Sequence, residues 1–135
     1  MKSARHMILA TLTAISVSAA TPTKKQEKVY ELPTIGKNLA RESGGWINFS
    51  ISGARAVVKF FDPKKKPMAP DTPRGFAIFR YASKANWERT AFHVEGNALV
   101  SPNNVRPPHN FRVHLTLLGA EDETRDPEAF VLTYP

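Results

Sequence analysis

His93, His109, His114 and Met68 are the side chains of this sequence best suited to hold a metal ion, because imidazole nitrogen and thioether sulfur are ligands that suit copper. Two of the histidines lie close together in the chain. On an extended strand, residues at an odd spacing point to opposite faces, so His109 and His114 converge only where the chain bends at Asn110. His93 and His114 follow a strand-like alternation and read as half-exposed strand residues, with His109 in a loop. Copper is the cofactor this reading would imply, and a periplasmic copper-binding protein is the second of two functional expectations.

Catalytic chemistry finds less to work with. The chain has no cysteine, so thiol nucleophiles and thiolate metal sites are excluded, as are disulfides. Ser101 and His109 are near each other along the chain, but no G-x-S-x-G elbow presents a nucleophile. Glu121, Asp122 and Glu123 sit together in a polar stretch, which reads as a solvated turn and not as two carboxyls converging on a glycosidic bond. A non-catalytic protein is expected.

Binding chemistry is better represented. Lys64, Lys65 and Lys66 stand between Pro63 and Pro67, an arrangement that holds three charges on an extended loop where an anionic polymer could meet them. The segment Val105 to Asn110, VRPPHN, is stiffened by its paired prolines and brings Arg106 and His109 to the approach of a strand. With Trp87 they form the expected contact surface. Trp46 and Trp87 also have indole faces that could stack on sugar rings, although Trp46 is placed to cap a core and Trp87 to cover a loop. Nucleic acid is not an expected partner, since no strand carries the aromatic-plus-basic motif of an RNA-binding sheet.

The elements that must carry these residues are strands. Phe111 to Leu118, FRVHLTLL, sets Phe111, Val113, Leu115 and Leu117 against Arg112, His114 and Thr116, the period of a strand with one buried face. Similar alternation runs through Trp46 to Ile51, Ala54 to Phe61, Phe76 to Ala82, Arg89 to Val94, Ala98 to Val100 and Phe130 to Tyr134. Gly36 to Ser43 offers a single weak helical turn, and Val29 to Leu32 a short edge strand. Trp87 falls in the polar turn from Ser83 to Glu88. Asp62 to Gly75 holds four prolines and is expected to be a surface connection.

These strands predict an all-β fold, a single antiparallel β-sandwich, immunoglobulin-like with about seven strands and Greek-key connections. A small open β-barrel is the alternative closure. The expected core is Ile47, Phe49, Ile51, Ala56, Val58, Phe60, Phe79, Phe92, Val94, Leu99, Phe111, Val113, Leu115, Leu117, Phe130 and Leu132.

The chain opens with Lys2 and Arg5, a mostly apolar run from Met7 to Val17, and small residues at Ser18 and Ala20, the three parts of a secretory signal peptide. The run is too short for a bilayer-spanning helix, which takes about 20 residues. Residues 1–20 are thus expected to be a signal peptide, 21–28 a flexible leader and 29–135 the sandwich domain, with no transmembrane segment in the mature chain. Loss of Lys2 and Arg5 lowers the formal charge of +7 by two and leaves it basic. A disulfide-free exported domain points to a bacterial periplasmic or secreted protein. In size, leader and expected fold the chain resembles the secreted copper-binding sandwiches, but it departs from them in having no dense Met or His motif. The first functional expectation is a small exported binding or interaction module, its partner an unknown envelope or extracellular protein or an anionic polymer.

Overall fold

The computed structural model describes residues 29–82, 85 and 87–135. The expected leader, residues 1–28, lies outside these. The strands are β1 (Lys37–Ala40), β2 (Trp46–Ser52), β3 (Arg55–Phe61), β4 (Pro67–Met68), β5 (Arg74–Tyr81), β6 (Trp87–Glu95), β7 (Ala98–Val100), β8 (Phe111–Leu118) and β9 (Glu128–Tyr134). All pairings are antiparallel. Among the described residues there is no helix, and so none long and apolar enough to cross a membrane.

The strands form one sheet in the order β1-β2-β3-β7-β6-β5-β8-β9, with β4 pairing the last two residues of β3. β6 is shared between its two halves. Trp87 to Phe92 pair with β5, and His93 to Glu95 pair with β7. The sheet therefore folds over on itself as two layers facing one core, a sandwich that is also nearly a closed barrel. β5, β6 and β7 follow one another as neighbours, and β8 then returns to lie beside β5, which is a Greek key.

The order of the elements follows from local chemistry. Gly53 and Ala54, with φ of 56° and 67°, make the two-residue turn between β2 and β3, the left-handed geometry that matches the twist of a hairpin. FRVHLTLL is β8, an interior strand between β5 and β9, and its four apolar alternates are buried. Aromatic rings fill the core along β5, β8 and β9 and reach across to β2. Phe79 and Tyr81 on β5 meet Phe111 edge-on at 5.0 and 5.4 Å, while Tyr134 contacts Phe111 at 5.6 Å and Phe49 at 5.8 Å.

Several expectations change. The segment expected to form a helical turn contains β1, because Lys37 to Ala40 pair in register with Phe49 to Trp46, and this ladder overrides a weak propensity. Val29 to Leu32 form no strand. Trp87 is not in a turn but is the first residue of β6. Val94 is 46% exposed instead of buried, because it sits at the end of β6 that runs out to the Gly96 turn, beyond Phe92. Ile51 and Phe130 are half-buried and pack against the core. Ala77, Tyr81 and Val105 join the core as well.

The two ends of the sheet are β1 and β9, and Arg41, just after β1, fastens them. The β1–β2 connection folds back through hydrogen bonds from Arg41 N to the Gly45 carbonyl (2.8 Å) and from Gly44 N to the Arg41 carbonyl (3.0 Å), with Gly44 at φ 101°. This turn sends the Arg41 side chain inward. Its Nε and Nη2 donate to Glu128, the first residue of β9, both at 3.0 Å, and Nη1 and Nη2 donate to Asp71 at 2.9 and 3.2 Å. The guanidinium also lies over the Phe60 ring at 5.4 Å. Burial alone would lower its pKa, but the hydrogen bonds and charges of Glu128 and Asp71 more than offset this and raise it. Pro127 and Pro135 bracket β9.

Leu115→Ala should destabilise the fold by about 2–5 kcal/mol in denaturant unfolding, since the side chain is fully buried. Arg41→Ala should cost about 3 kcal/mol, the lower end for a broken buried ion pair, because both carboxylates keep some contact with water. A change below about 1 kcal/mol would show that the clamp contributes no more than an exposed ion pair.

Candidate functional site

Apart from Trp87, which begins β6, the expected contact residues divide between the two ends of β3. Its first end holds the Ser101–Asn110 loop. Ser101 N donates to the Ala56 carbonyl, Ala56 N donates to Ser101 Oγ, and Ser101 Oγ donates to the Asn103 carbonyl, each at 2.9 Å. Val105 N donates to the Ala54 carbonyl at 2.6 Å, and the Val105 side chain is buried. The loop is therefore pinned across the end of the core. Ser101 is fully buried with its hydroxyl engaged on both sides, and His109 Nε2 lies 3.2 Å from the Val105 carbonyl, so the pair is not arranged as nucleophile and base.

Arg106 extends from this loop to Glu88 at 3.2 Å, and Glu88 in turn accepts from Tyr81 Oη at 2.9 Å. Burial, together with the hydrogen bond to Glu88 and its charge, pushes the Tyr81 phenol up to about 12, against an opposing pull from Arg106. Lys64, Lys65 and Lys66 lie at the other end of β3. There Asp62 Oδ1 accepts from the amides of Lys64 and Lys66 at 2.9 and 2.8 Å, which folds the loop tightly and leaves the three lysines exposed. Arg106 and the lysines thus belong to different places.

The four metal candidates are not brought together. His114 lies mid-strand on β8, opposite Ile78 and Val131. His109 packs edge-on to Phe111, and Met68 is on β4 beside Phe60. His93 Nε2 is 3.3 Å from Glu95, whose carboxyl is held below the usual range by Arg55 and then His93. Among the described residues, no group of three or more His, Asp or Glu could hold a metal ion. The acidic stretch is engaged too, with Glu123 accepting from the Ala120 amide at 3.2 Å and lying 3.6 Å from Arg125.

The arrangement with the most chemistry is one that local patterns do not show. β6, β5, β8 and β9 lie side by side, and their outward residues share a single face. Arg80 on β5 is flanked by Trp87 on β6 and by Arg112 on β8, and in the next row Ile78 is flanked by Arg89 and His114, with Val131 beyond. Arg80, Arg89, Arg112 and Trp87 are exposed. The Arg80 guanidinium stacks over the Trp87 ring at 3.9 Å and that of Arg89 over the Phe76 ring at 4.5 Å. Neither these two nor Arg112 has a carboxylate partner among the described residues. Along Trp87–Ala91 of β6, and on β5 and β8, no Asp or Glu points outward.

A pocket of about 250 Å³ opens on this face between Ile78, Arg80, Trp87 and His114. His114 Nε2 is shielded from solvent and has no hydrogen-bond partner among the described residues. Sequence reasoning singled out Trp87 and His114 but not the arginines. The signal that could have found them is the parity of β5, where Phe76, Ile78 and Arg80 face out once Ala77, Phe79 and Tyr81 are assigned to the core.

Comparisons with family models, with curated proteins and with solved structures find no match to this chain.

Alkaline titration followed by phenolate absorbance should show a transition near about 12 that disappears in Tyr81→Phe. Because the folded pKa is raised, the stability contributed by Tyr81 is complete below its ordinary pKa of about 10 and is lost as the pH rises through the folded value. Tyr81→Phe should be correspondingly less sensitive over that range.

Proposed function

We propose that the chain is an exported, non-catalytic binding module that attaches to an envelope or extracellular component through the outer face of β6, β5, β8 and β9. The observation that carries this reading is the set of three exposed arginines, Arg80, Arg89 and Arg112, with no carboxylate partner among the described residues. On an ordinary solvated surface, charges of both signs are interspersed. Here one sign is gathered on a sheet face, and two of the three guanidiniums are held over ring faces. Such a face is preorganised for anionic groups, because the donor fork is held before the ligand arrives. The signal-like segment from Lys2 to Ala20 supports export.

Two measurements test this. Expressed with its own leader, the protein should appear in the exported fraction with a mass that begins at Thr21, and an uncleaved cytosolic product would remove the localisation. Purified protein should co-sediment with washed, protein-stripped envelope material. Replacing Arg80, Arg89 and Arg112 together by Ser should weaken this by at least about tenfold, the equivalent of about 1.4 kcal/mol. Equal sedimentation of the variant would move the binding surface elsewhere.

A further inference from the structure

We infer that the ligand of this face is an anionic polysaccharide, a chain of sugar rings bearing carboxylate or sulfate groups. The inference rests on the face being the binding surface. The cations have a definite layout. Arg80 and Arg112 are direct cross-strand partners, about 5 Å apart at their Cβ atoms. Arg89 belongs to the next row, two residues further along, about 7 Å away in the strand direction. Acid groups recurring along a stiff polymer could meet these forks in turn, each guanidinium offering a planar pair of donors to one acid group.

The rings decide between polyanions. Single-stranded nucleic acid is held on sheets by bases stacking on bare aromatic faces. Trp87 and Phe76 are the aromatic residues of this face, and each already carries a guanidinium. Recognition therefore runs through the arginine forks, and the uncovered part of the indole, 59% exposed, is a single platform, enough for one apolar sugar face but not for the run of stacked bases that holds a nucleic-acid strand. An anionic lipid surface would call for apolar side chains that insert. Ile78 and Phe76 are half-buried, which leaves Trp87, under the Arg80 guanidinium, and Val131 at the far edge as two separated exposed apolar side chains, too few for an inserting surface.

The pocket adds a requirement that charge alone does not meet. His114 lines it, and its Nε2 lacks a partner among the described residues. That nitrogen is shielded from solvent, so what the pocket between Ile78, Arg80 and Trp87 offers an incoming ligand is an apolar lining that fits the edge of a sugar ring. Thr116 and Thr133 add half-buried and exposed hydroxyl-bearing residues to the same face. A ligand that combines anionic groups, many hydroxyls and an apolar ring face is a charged polysaccharide. The Lys64–Lys66 loop is reached from the opposite end of β3 to the Ser101–Asn110 loop, and its lysines have no fixed geometry of this kind.

Calorimetric titration of the purified protein at about 150 mM salt, where long-range charge effects are screened beyond about 8 Å, tests this. The probes are a heparin oligosaccharide, an oligogalacturonate, a neutral glucan oligomer of similar length, a 20-nucleotide thymidine strand and phosphatidylglycerol vesicles. At least one anionic oligosaccharide should bind saturably and the neutral one should not. Arg80→Lys, which keeps the charge and loses the fork, and Arg112→Ser should each weaken binding about tenfold. Exchanging Lys64, Lys65 and Lys66 for Gln should change it by less than about twofold. Unfolding midpoints of all variants confirm that the fold is kept. If the thymidine strand or the vesicles bind more tightly than either oligosaccharide and depend on Arg80 and Arg112, the ligand class is overturned while the binding face stands. If no probe binds but envelope material still sediments the protein in an arginine-dependent way, the polysaccharide is likewise excluded. Loss of both responses removes the face itself.

Discussion

The fold depends on a single guanidinium placed where the sheet runs out of strands. A sheet that curls until its first and last members approach must hold them there, yet β1 and β9 are not joined by a backbone ladder. Arg41 bridges the gap by a different means. Its planar fork reaches Glu128 at the start of β9 and Asp71 in the connection before β5, so one buried side chain ties three segments together. The desolvation of such an ion is expensive, and two carboxylates arranged around it are what make its burial tolerable. The tight turn at Gly44 and Gly45 sets its direction. A Cβ at Gly45 would lie 2.5 Å from the Phe61 carbonyl oxygen, so the close approach of that turn to β3 requires glycine there.

The outer arginines show the same residue type under the opposite condition. Arg41 has lost its water and is paired with both carboxylates within reach, so its charge is spent on structure. Arg80, Arg89 and Arg112 keep their water and have ring faces or open solvent beside them. Stacking restricts their motion without satisfying their N–H groups, which leaves donors oriented and unused. The closure of the sheet makes this possible. It turns Ala77, Phe79 and Tyr81 of β5 and the apolar alternates of β8 inward, and whatever occupies the other parity becomes a continuous surface four strands wide.

The strand periods were legible because burial on one face imposes an alternation that a short window can display, and FRVHLTLL is the clearest case. Three kinds of feature were not. β1 is a four-residue strand whose pairing with β2 decides its conformation, and KNLA has no period of its own. In FAIFRY both parities are apolar, so local hydrophobicity could not say that Phe76, Ile78 and Arg80 face out. The Arg41 clamp joins residues 30 and 87 positions apart, and nothing near Arg41 in the sequence signals either partner. The same holds for the basic face. Its arginines come from three strands and become neighbours only through register. The isolated histidines and the lysine run stand out in a sequence because they are rare or consecutive, which is unrelated to whether folding brings them together.

The prolines at either side of β9 have a consequence for the protein in company with its own copies. The last strand of an open sheet carries a row of backbone donors and acceptors able to recruit another chain. Pro127 and Pro135 limit the recruitable ladder to seven residues and deny it a donor just beyond each end. A second copy pairing along β9 would thus be confined to this one length of ladder, with no donor to extend it past either end.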